Sequence, residues 1–345
     1  MPAIPNILER AAIRAGLLPP FFVDIVNAAA LRAFGVAQRL GVFALLREGP
    51  SSAAELAARS GADPVSLARL LDLLGRTGYL RRDGQRFRNS TSVERWLLAD
   101  GGRALPNFIQ HWHNVLFEHF ETLEDRVRAG SPQPHFHDWL ASSGHWPVFN
   151  AAMAELAGQT ADAVARAAAL PQSTRSLADL GGNHGLNAAA FCRRHPTLRA
   201  TIVDLPESLA LAEDRVAAAG LSDRISLRPA DIMRDDLGGP YDAVLLFQLL
   251  HYFPPEENIA LLNRVRDALA PGGRVVIFDQ LAGTMPTPLA AAFFSLLALT
   301  YRVGLGGDIY HYDDIGGWLR TAGFRDIRKR AVLSAPGNAL VMGSR

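Results

Sequence analysis

The 345-residue sequence contains a single cysteine, Cys192, so no intrachain disulfide can form and no thiolate cluster can hold zinc. An excess of one charge sign is also missing. The formal net charge is +1, which points to no polyanionic partner. No apolar run reaches the roughly 20 residues that a bilayer span needs. The longest, Leu289 to Tyr301, is closed by Arg302 and reads as a buried helix. The opening residues, Met1-Pro2-Ala3-Ile4-Pro5, lack the basic cluster, apolar core and small-residue cleavage site of a secretory signal. The cytoplasm is the expected compartment, with no membrane partner.

What the sequence does hold is material for packed cores. Hydrophobic residues make up 49% and charged residues 20%, which excludes a disordered chain. The length exceeds what one core usually serves, so more than one domain is expected. From Val23 to Leu46 the sequence is dense in Ala and Leu and reads as a largely buried helical segment. Ser52 and Glu55 have capping-box spacing, and Asp63-Pro64 supplies an N-cap followed by proline at the first helical position. Two short helices follow from these signals. In the second, Leu67, Leu70, Leu71 and Leu74 form one buried stripe. Tyr79 to Arg82 and Arg86 to Arg88, around Asp83-Gly84, then read as a hairpin wing.

Helix, helix and wing describe a winged helix, which serves either DNA binding or dimerisation. A DNA reader needs basic and amide side chains on the outer face of the second helix. Here that face offers Ser66, Arg69 and Asp72. Arg81, Arg82, Arg86 and Arg88 on the wing read as a solvated face. A dimerisation module is the preferred reading and no nucleic-acid partner is expected. The stretch from Pro106 to Leu170 reads as all-helical and is rich in His and aromatic residues, among them His111, His113, His135, His137 and Trp146. His111 and His113 sit on different helix faces and the pair at 135 and 137 follows a Ser131-Pro132-Gln133-Pro134 breaker, so no metal is expected. Lining of a small-molecule pocket and ordinary packing both remain open for these rings.

From Ser176 onward strand and helix alternate. Ser176 to Leu180 runs into the loop Gly181-Gly182-Asn183-His184-Gly185, where glycines let backbone approach a ligand closely. Thr201 to Val203 ends in Asp204, placed where a carboxylate can take both hydroxyls of a ribose. Ile225 to Leu227 leads to Asp231, Tyr241 to Phe247 leads to His251, and a strand after the Pro271-Gly272-Gly273 turn ends at Asp279. The alternation predicts parallel strands with right-handed crossovers and a ligand at their carboxyl ends. Asp179, Asp204, Asp231, His251 and Asp279 all fall there.

The order of these elements resembles class I methyltransferases, and the chain from about residue 23 onward resembles the two-domain O-methyltransferases of small-molecule metabolism. That group includes plant caffeic acid and acetylserotonin enzymes and bacterial polyketide-tailoring enzymes. The matching pieces are Leu40 to Leu80, Phe149-Asn150-Ala151-Ala152-Met153, Asp179 to Gly185, Val203-Asp204-Leu205-Pro206, the Pro271-Gly272-Gly273 turn and Ala322-Gly323-Phe324.

The resemblance implies an α/β Rossmann-like catalytic domain over 171–345. It also implies an N-terminal all-helical and winged-helix dimerisation domain over 1–104 and a helical connector over 105–170 that contributes to the substrate pocket. S-adenosylmethionine is the implied cofactor, bound by Asp179, Gly181, Gly182, Gly185, Asp204, Leu205, Asp231, Ile232 and Gln248. His251 is the implied general base, oriented by Asp279. His111, Phe149, Asn150 and Met153 are expected at the substrate, a small-molecule methyl acceptor, and the assembly is expected to be a homodimer.

The sequence departs from the family where Asn183 and His184 replace the third loop glycine and its neighbour. It departs again at Phe247 and Ile309, which stand where plant members carry a lysine and a second glutamate. Asp179 accordingly reads either as a cofactor ligand or as an acceptor for loop N–H groups. His311 and Asp313 read either as pocket border or as helix cap. Methyl transfer to oxygen is the leading expectation. Transfer to sulfur or nitrogen on the same fold, and a winged-helix DNA-binding regulator, are the alternatives.

Overall fold

The computed structural model describes residues 5–130, 132, 134–285 and 287–345. Residues 1–4 of the opening segment, and Ser131 and Gln133 of the proline-rich breaker, lie outside the described residues. The chain divides into two compact units, Met1–Glu121 and Thr122–Arg345.

In the first unit the helices follow their caps. Ser52 accepts the Glu55 N–H and Glu55 reaches back to the Ser52 N–H, starting the helix Ala53–Ser60. Asp63 accepts the Ser66 N–H at 2.7 Å ahead of Pro64–Arg76. Leu67, Leu71 and Leu74 of that helix are buried with Phe34, Val42, Phe43 and Leu56 in one core, while Leu70 packs at its edge. The hairpin pairs Leu80–Asp83 with Arg86–Asn89, and Ser51–Ser52 adds to its edge. Three of the four wing arginines bond within the unit: Arg81 to Thr91, Arg82 to Asp72 and Arg86 to the Pro50 carbonyl and Glu55.

The segment from Val23 to Leu46 is helical as expected, in two pieces, Phe21–Arg39 and Val42–Arg47, separated at Gly41, but it is not largely buried, Ile25 being 58% exposed. An unexpected helix, Ile7–Arg14, precedes them, started by an Asn6–Glu9 capping box. Phe21–Arg39 is long and apolar enough to cross a membrane by length and composition. It also carries Asp24, Arg32 and Arg39, and buries Ala30, Phe34 and Ala37 in the unit.

The second unit is built on seven strands: β1 (Ser176–Leu180), β2 (Arg199–Asp204), β3 (Ile225–Pro229), β4 (Tyr241–Phe247), β5 (Leu269–Gln280), β6 (Arg325–Ala331) and β7 (Asn338–Ser344). Their order is β3-β2-β1-β4-β5-β7-β6. The first five are parallel, and β7 is antiparallel to both its neighbours. Strands covered on both faces must be apolar along their length. Ala243, Val244, Leu245 and Leu246 of β4 are all fully buried, each large side chain contributing about 1.5–3 kcal/mol of burial. The chain order reverses between β1 and β4, which opens a crevice at their carboxyl ends.

The long helix Trp146–Ala168 opens with proline in its first turn and is Ala-rich, burying Phe149, Asn150 and Ala152. The apolar run Leu289 to Tyr301 is helical, within Pro288–Gly304, but it is not a buried helix. Leu289 is 82% exposed, and only Thr300, Val303 and Gly304 of the helix are buried. Apolar content fixed its helicity but not what covers it.

Candidate active site

β1 delivers Asp179 and runs into the glycine loop. The Gly181 N–H donates to the Val203 carbonyl and the Gly185 N–H to the Gly182 carbonyl, closing a tight turn into the helix Leu186–Arg194. A Cβ at residue 182 would lie 2.8 Å from Asp179 Cγ and from Ile202 Cγ2, so the backbone can take this path only as glycine. Asp179 is fully buried. Its Oδ2 accepts the Ala188 N–H at 3.2 Å, while Oδ1 has no partner. Burial pushes this carboxyl up to about 7, with the nearby Asp204 adding to the rise and the Ala188 N–H opposing it.

Asp204 ends β2. Its Oδ2 accepts the Asn183 N–H at 2.9 Å and its Oδ1 the Leu205 N–H at 2.8 Å. Burial lifts the carboxyl to about 6 against these bonds. Each oxygen keeps a further lone pair, the pattern that suits a vicinal diol. The Ala230 N–H donates to the Asp204 carbonyl at 2.9 Å, which brings Asp231 beside Asp204. Asp231 Oδ1 accepts the Met233 N–H. Ile232 is buried and its carbonyl is taken by Arg264. Gln248, at φ +52, spends its side chain on Asn338 Oδ1 at 2.8 Å and on the Gln280 amide.

His251 sits in the turn Leu250–Tyr252 after β4, and Asp279 projects from β5. Their side chains meet at 2.8 Å, His251 Nδ1 to Asp279 Oδ1, and both are buried. Asp279 also accepts the Gln280 N–H on Oδ1 and the Leu250 N–H on Oδ2. It therefore meets Nδ1 as an acceptor, which assigns the proton to Nδ1 and the lone pair to Nε2. The turn is clamped on its backbone. Asn258 donates to the Leu250 and Phe253 carbonyls, and the Tyr310 hydroxyl donates to the Phe253 carbonyl at 2.6 Å. Gly307 packs so closely that a Cβ there would overlap the His251 carbonyl.

On the acceptor side, Phe149 is buried 5.7 Å from the Trp146 ring, and Met153 is half-buried on the same helix. The rings continue from Trp146 to His137 at 5.2 Å, from His137 to Tyr252 at 5.5 Å, and from Tyr252 to His251 at 4.9 Å. Burial, with His135 close by, pushes His137 down to about 4, so its imidazole is neutral. Asn150 faces the cofactor loop instead. It donates to the Glu207 carbonyl at 2.8 Å and accepts from Asn183 Nδ2 at 2.7 Å. His111 belongs to the first unit, buried on the helix Pro106–Phe117.

His184 accepts the Leu186 N–H on Nδ1, and burial pushes it down to about 3, so it serves the loop as a neutral ring. His311 caps the helix Tyr312–Thr321, its N–H donating to Asp314. Among the described residues no group of three or more His, Cys, Asp or Glu side chains is placed to hold a metal. Sequence reasoning missed Tyr252 and Tyr301, whose rings flank His251. Nothing in a lone tyrosine near an apolar run signals such a contact.

This strand order, with a glycine loop after β1 and an acidic residue ending β2, defines a class I S-adenosylmethionine-dependent methyltransferase. The residues fit that cofactor. Glycine at three of the loop's five positions lets its backbone approach a ligand closely, the unpartnered Asp179 oxygen suits an ammonium, and Asp204 suits a ribose diol. Residues 120–325 match the O-methyltransferase domain and residues 25–100 the O-methyltransferase dimerisation domain. The chain is 30% identical over 308 residues to 3-hydroxy-5-methyl-1-naphthoate 3-O-methyltransferase of Streptomyces sahachiroi, with 88% of each chain covered. It is 30% identical over 310 residues to the tetracenomycin polyketide synthesis 8-O-methyl transferase of Streptomyces glaucescens, covering 87% of this chain and 89% of that one. The solved structure of mitomycin 7-O-methyltransferase superposes with a TM-score of 0.84 at 25% identity, over 99% of this chain and 100% of that one. The chain therefore belongs to the O-methyltransferase family, is an S-adenosylmethionine-dependent enzyme acting on small molecules, and carries the family's dimerisation domain.

Proposed function

We propose that the enzyme methylates a hydroxyl group of a small aromatic molecule, with His251 as general base and Asp279 orienting it. The observation that carries this reading is the buried 2.8 Å contact between His251 Nδ1 and Asp279, which leaves Nε2 as the ring's acceptor. A hydroxyl must lose its proton as its oxygen attacks, and an imidazole nitrogen with an available lone pair can take it. Bound S-adenosylmethionine supplies an electrophilic methyl on its sulfonium. Asp179 and the Gly181, Gly182 and Gly185 backbone would hold its methionine end, Asp204 with Leu205 its ribose, and Asp231 with the Ile232 N–H its adenine. Gln248 acts beside this set by bracing the end of β4. Phe149, Met153 and the rings leading to Tyr252 would hold the acceptor near attack distance. The relatives named for methylating a naphthoate and a tetracenomycin hydroxyl support an aromatic acceptor. In this reading the enzyme works as a cytoplasmic homodimer without nucleic-acid or membrane partners.

The test is single-turnover methyl transfer with an aromatic hydroxyl acceptor. His251→Ala should bind cofactor normally and lose about 10² to 10⁴ in rate. Turnover within a few-fold of wild type would remove His251 as the base and favour an acceptor atom that carries no proton.

A further inference from the structure

The His251 ring has a neighbour that the chemistry above does not use. Tyr301, near the end of the helix Pro288–Gly304, lies against it with ring centroids 4.1 Å apart and planes 18° from parallel. The other ring pairs around this site are tilted or edge-on, at 37° to 79°. A near-parallel face contact is the arrangement in which a ring's electron-rich face meets a flat cation. We propose that Tyr301 is a positioning residue for the His251–Asp279 pair, its ring face backing the imidazole and favouring the protonated form that proton abstraction produces. The inference rests on the reading of His251 as base.

The ring is held in place by the residue that also serves the acid. The Tyr301 hydroxyl donates to Gln280 Oε1 at 3.4 Å, and the Gln280 backbone N–H donates to Asp279 Oδ1 at 2.9 Å. The Gln280 amide continues to Gln248, and Gln248 continues to Asn338. A polar chain across the ends of β4, β5 and β7 thus fixes the tyrosine from the side opposite its helix. That helix buries little else, only Thr300, Val303 and Gly304, so general core packing does not account for the stack. Burial and the Asp279 charge push the Tyr301 phenol well above its ordinary range, which keeps it neutral and unable to compete as a base. The titratable groups facing the imidazole are Asp279 from β5, Tyr252 from its own turn and Tyr301 from the helix. Tyr310, on the following loop, senses Asp279, Asp308, Glu256 and Arg302.

The experiment follows the His251 Cε1–Hε1 signal across pH in the whole dimer for wild type, Tyr301→Phe and Tyr301→Leu, beside single-turnover rates over the same range. Phe keeps the ring face, so its titration midpoint should match wild type. Leu removes the face, and its midpoint should fall by about 0.4 to 1.5 pH units with kcat reduced and the acceptor KM little changed. Tyr301→Met serves the same purpose if the Leu variant does not fold. A Leu or Met midpoint equal to wild type would overturn the proposal, as would a Phe midpoint displaced as far as that of Leu. The signal reads the imidazole directly. If His251→Gln turns over like wild type, the base reading fails while the midpoints still judge the contact.

Discussion

The Asn183 side-chain amide donates to Asn150 Oδ1 over 2.7 Å, and Asn150 donates in turn to the Glu207 carbonyl over 2.8 Å. Both asparagines are buried. Asn183 stands at φ +39, a conformation asparagine tolerates better than most residues, and its backbone N–H holds Asp204. The glycine loop, the Asp204 carboxylate and the helix that carries Phe149 are thereby fastened together.

Asn150→Ala leaves the Asn183 amide and the Glu207 carbonyl without partners, a loss of about 1–3 kcal/mol. Calorimetry should find S-adenosylmethionine binding weakened by roughly tenfold. Asn183→Gly keeps the backbone path open and should bind more tightly than Asn150→Ala. Wild-type affinity in Asn150→Ala would refute the fastening.

Asp204→Ala removes the proposed acceptor of the ribose hydroxyls and should weaken cofactor binding by roughly 2–3 kcal/mol. The wild-type carboxyl sits at about 6, so the charged form prevails above that pH. Affinity should therefore fall as the pH drops below 6 in wild type and stay flat in the alanine variant. Parallel pH profiles for the two proteins would remove Asp204 from the cofactor site.

Asp179 also bears on the stability of the cofactor-free protein. Its folded value of about 7 lies above the ordinary 3.8, so the folded state holds a proton that the unfolded chain has released. The stability this contributes is complete below pH 3.8 and is lost as the pH rises through 7. Asp179→Asn keeps an acceptor for the Ala188 N–H and cannot ionise. Its melting temperature, relative to cofactor-free wild type, should improve between pH 5 and pH 8. A constant difference over that interval would contradict the shift.

The first unit exposes Ile7 at 81%, Leu17 at 80%, Phe21 at 56% and Ile25 at 58%, all near its N-terminal helices. Apolar exposure of this kind marks an association surface. Light scattering at micromolar concentration should give twice the chain mass, and Phe21→Ser combined with Ile25→Ser should shift it toward the monomer. A monomeric wild type would overturn the assembly.

The elements legible in the sequence were those with local causes. β1 to β5 announced themselves as apolar runs, and the caps at Ser52 and Asp63 fixed two helix starts to the residue. The His251–Asp279 contact was expected from the family resemblance, and the two residues lie at the ends of the paired strands β4 and β5. What the sequence hid depends on long-range register. Asn150 faces Glu207 and Asn183 only because the helix Trp146–Ala168 lies over the loop, and no spacing rule connects residues 33 apart. Tyr301 was submerged in an apolar stretch that reads as core, whereas the helix is largely exposed and sets Tyr301, near its end, against His251. Gln248 follows β4 where a ligand contact is expected, but its side chain closes onto Asn338, a partner from the far end of the chain.

Gly307 sets a boundary on how this enzyme can diversify. Any side chain at that position strikes the His251 carbonyl, so drift toward a new acceptor cannot begin there. Met153, half-buried on a regular helix, has no such restriction and can change size one substitution at a time. Directed libraries should accordingly recover altered acceptor preference from the Phe149 to Met153 turn, while clones mutated at residue 307 should be absent from every active pool.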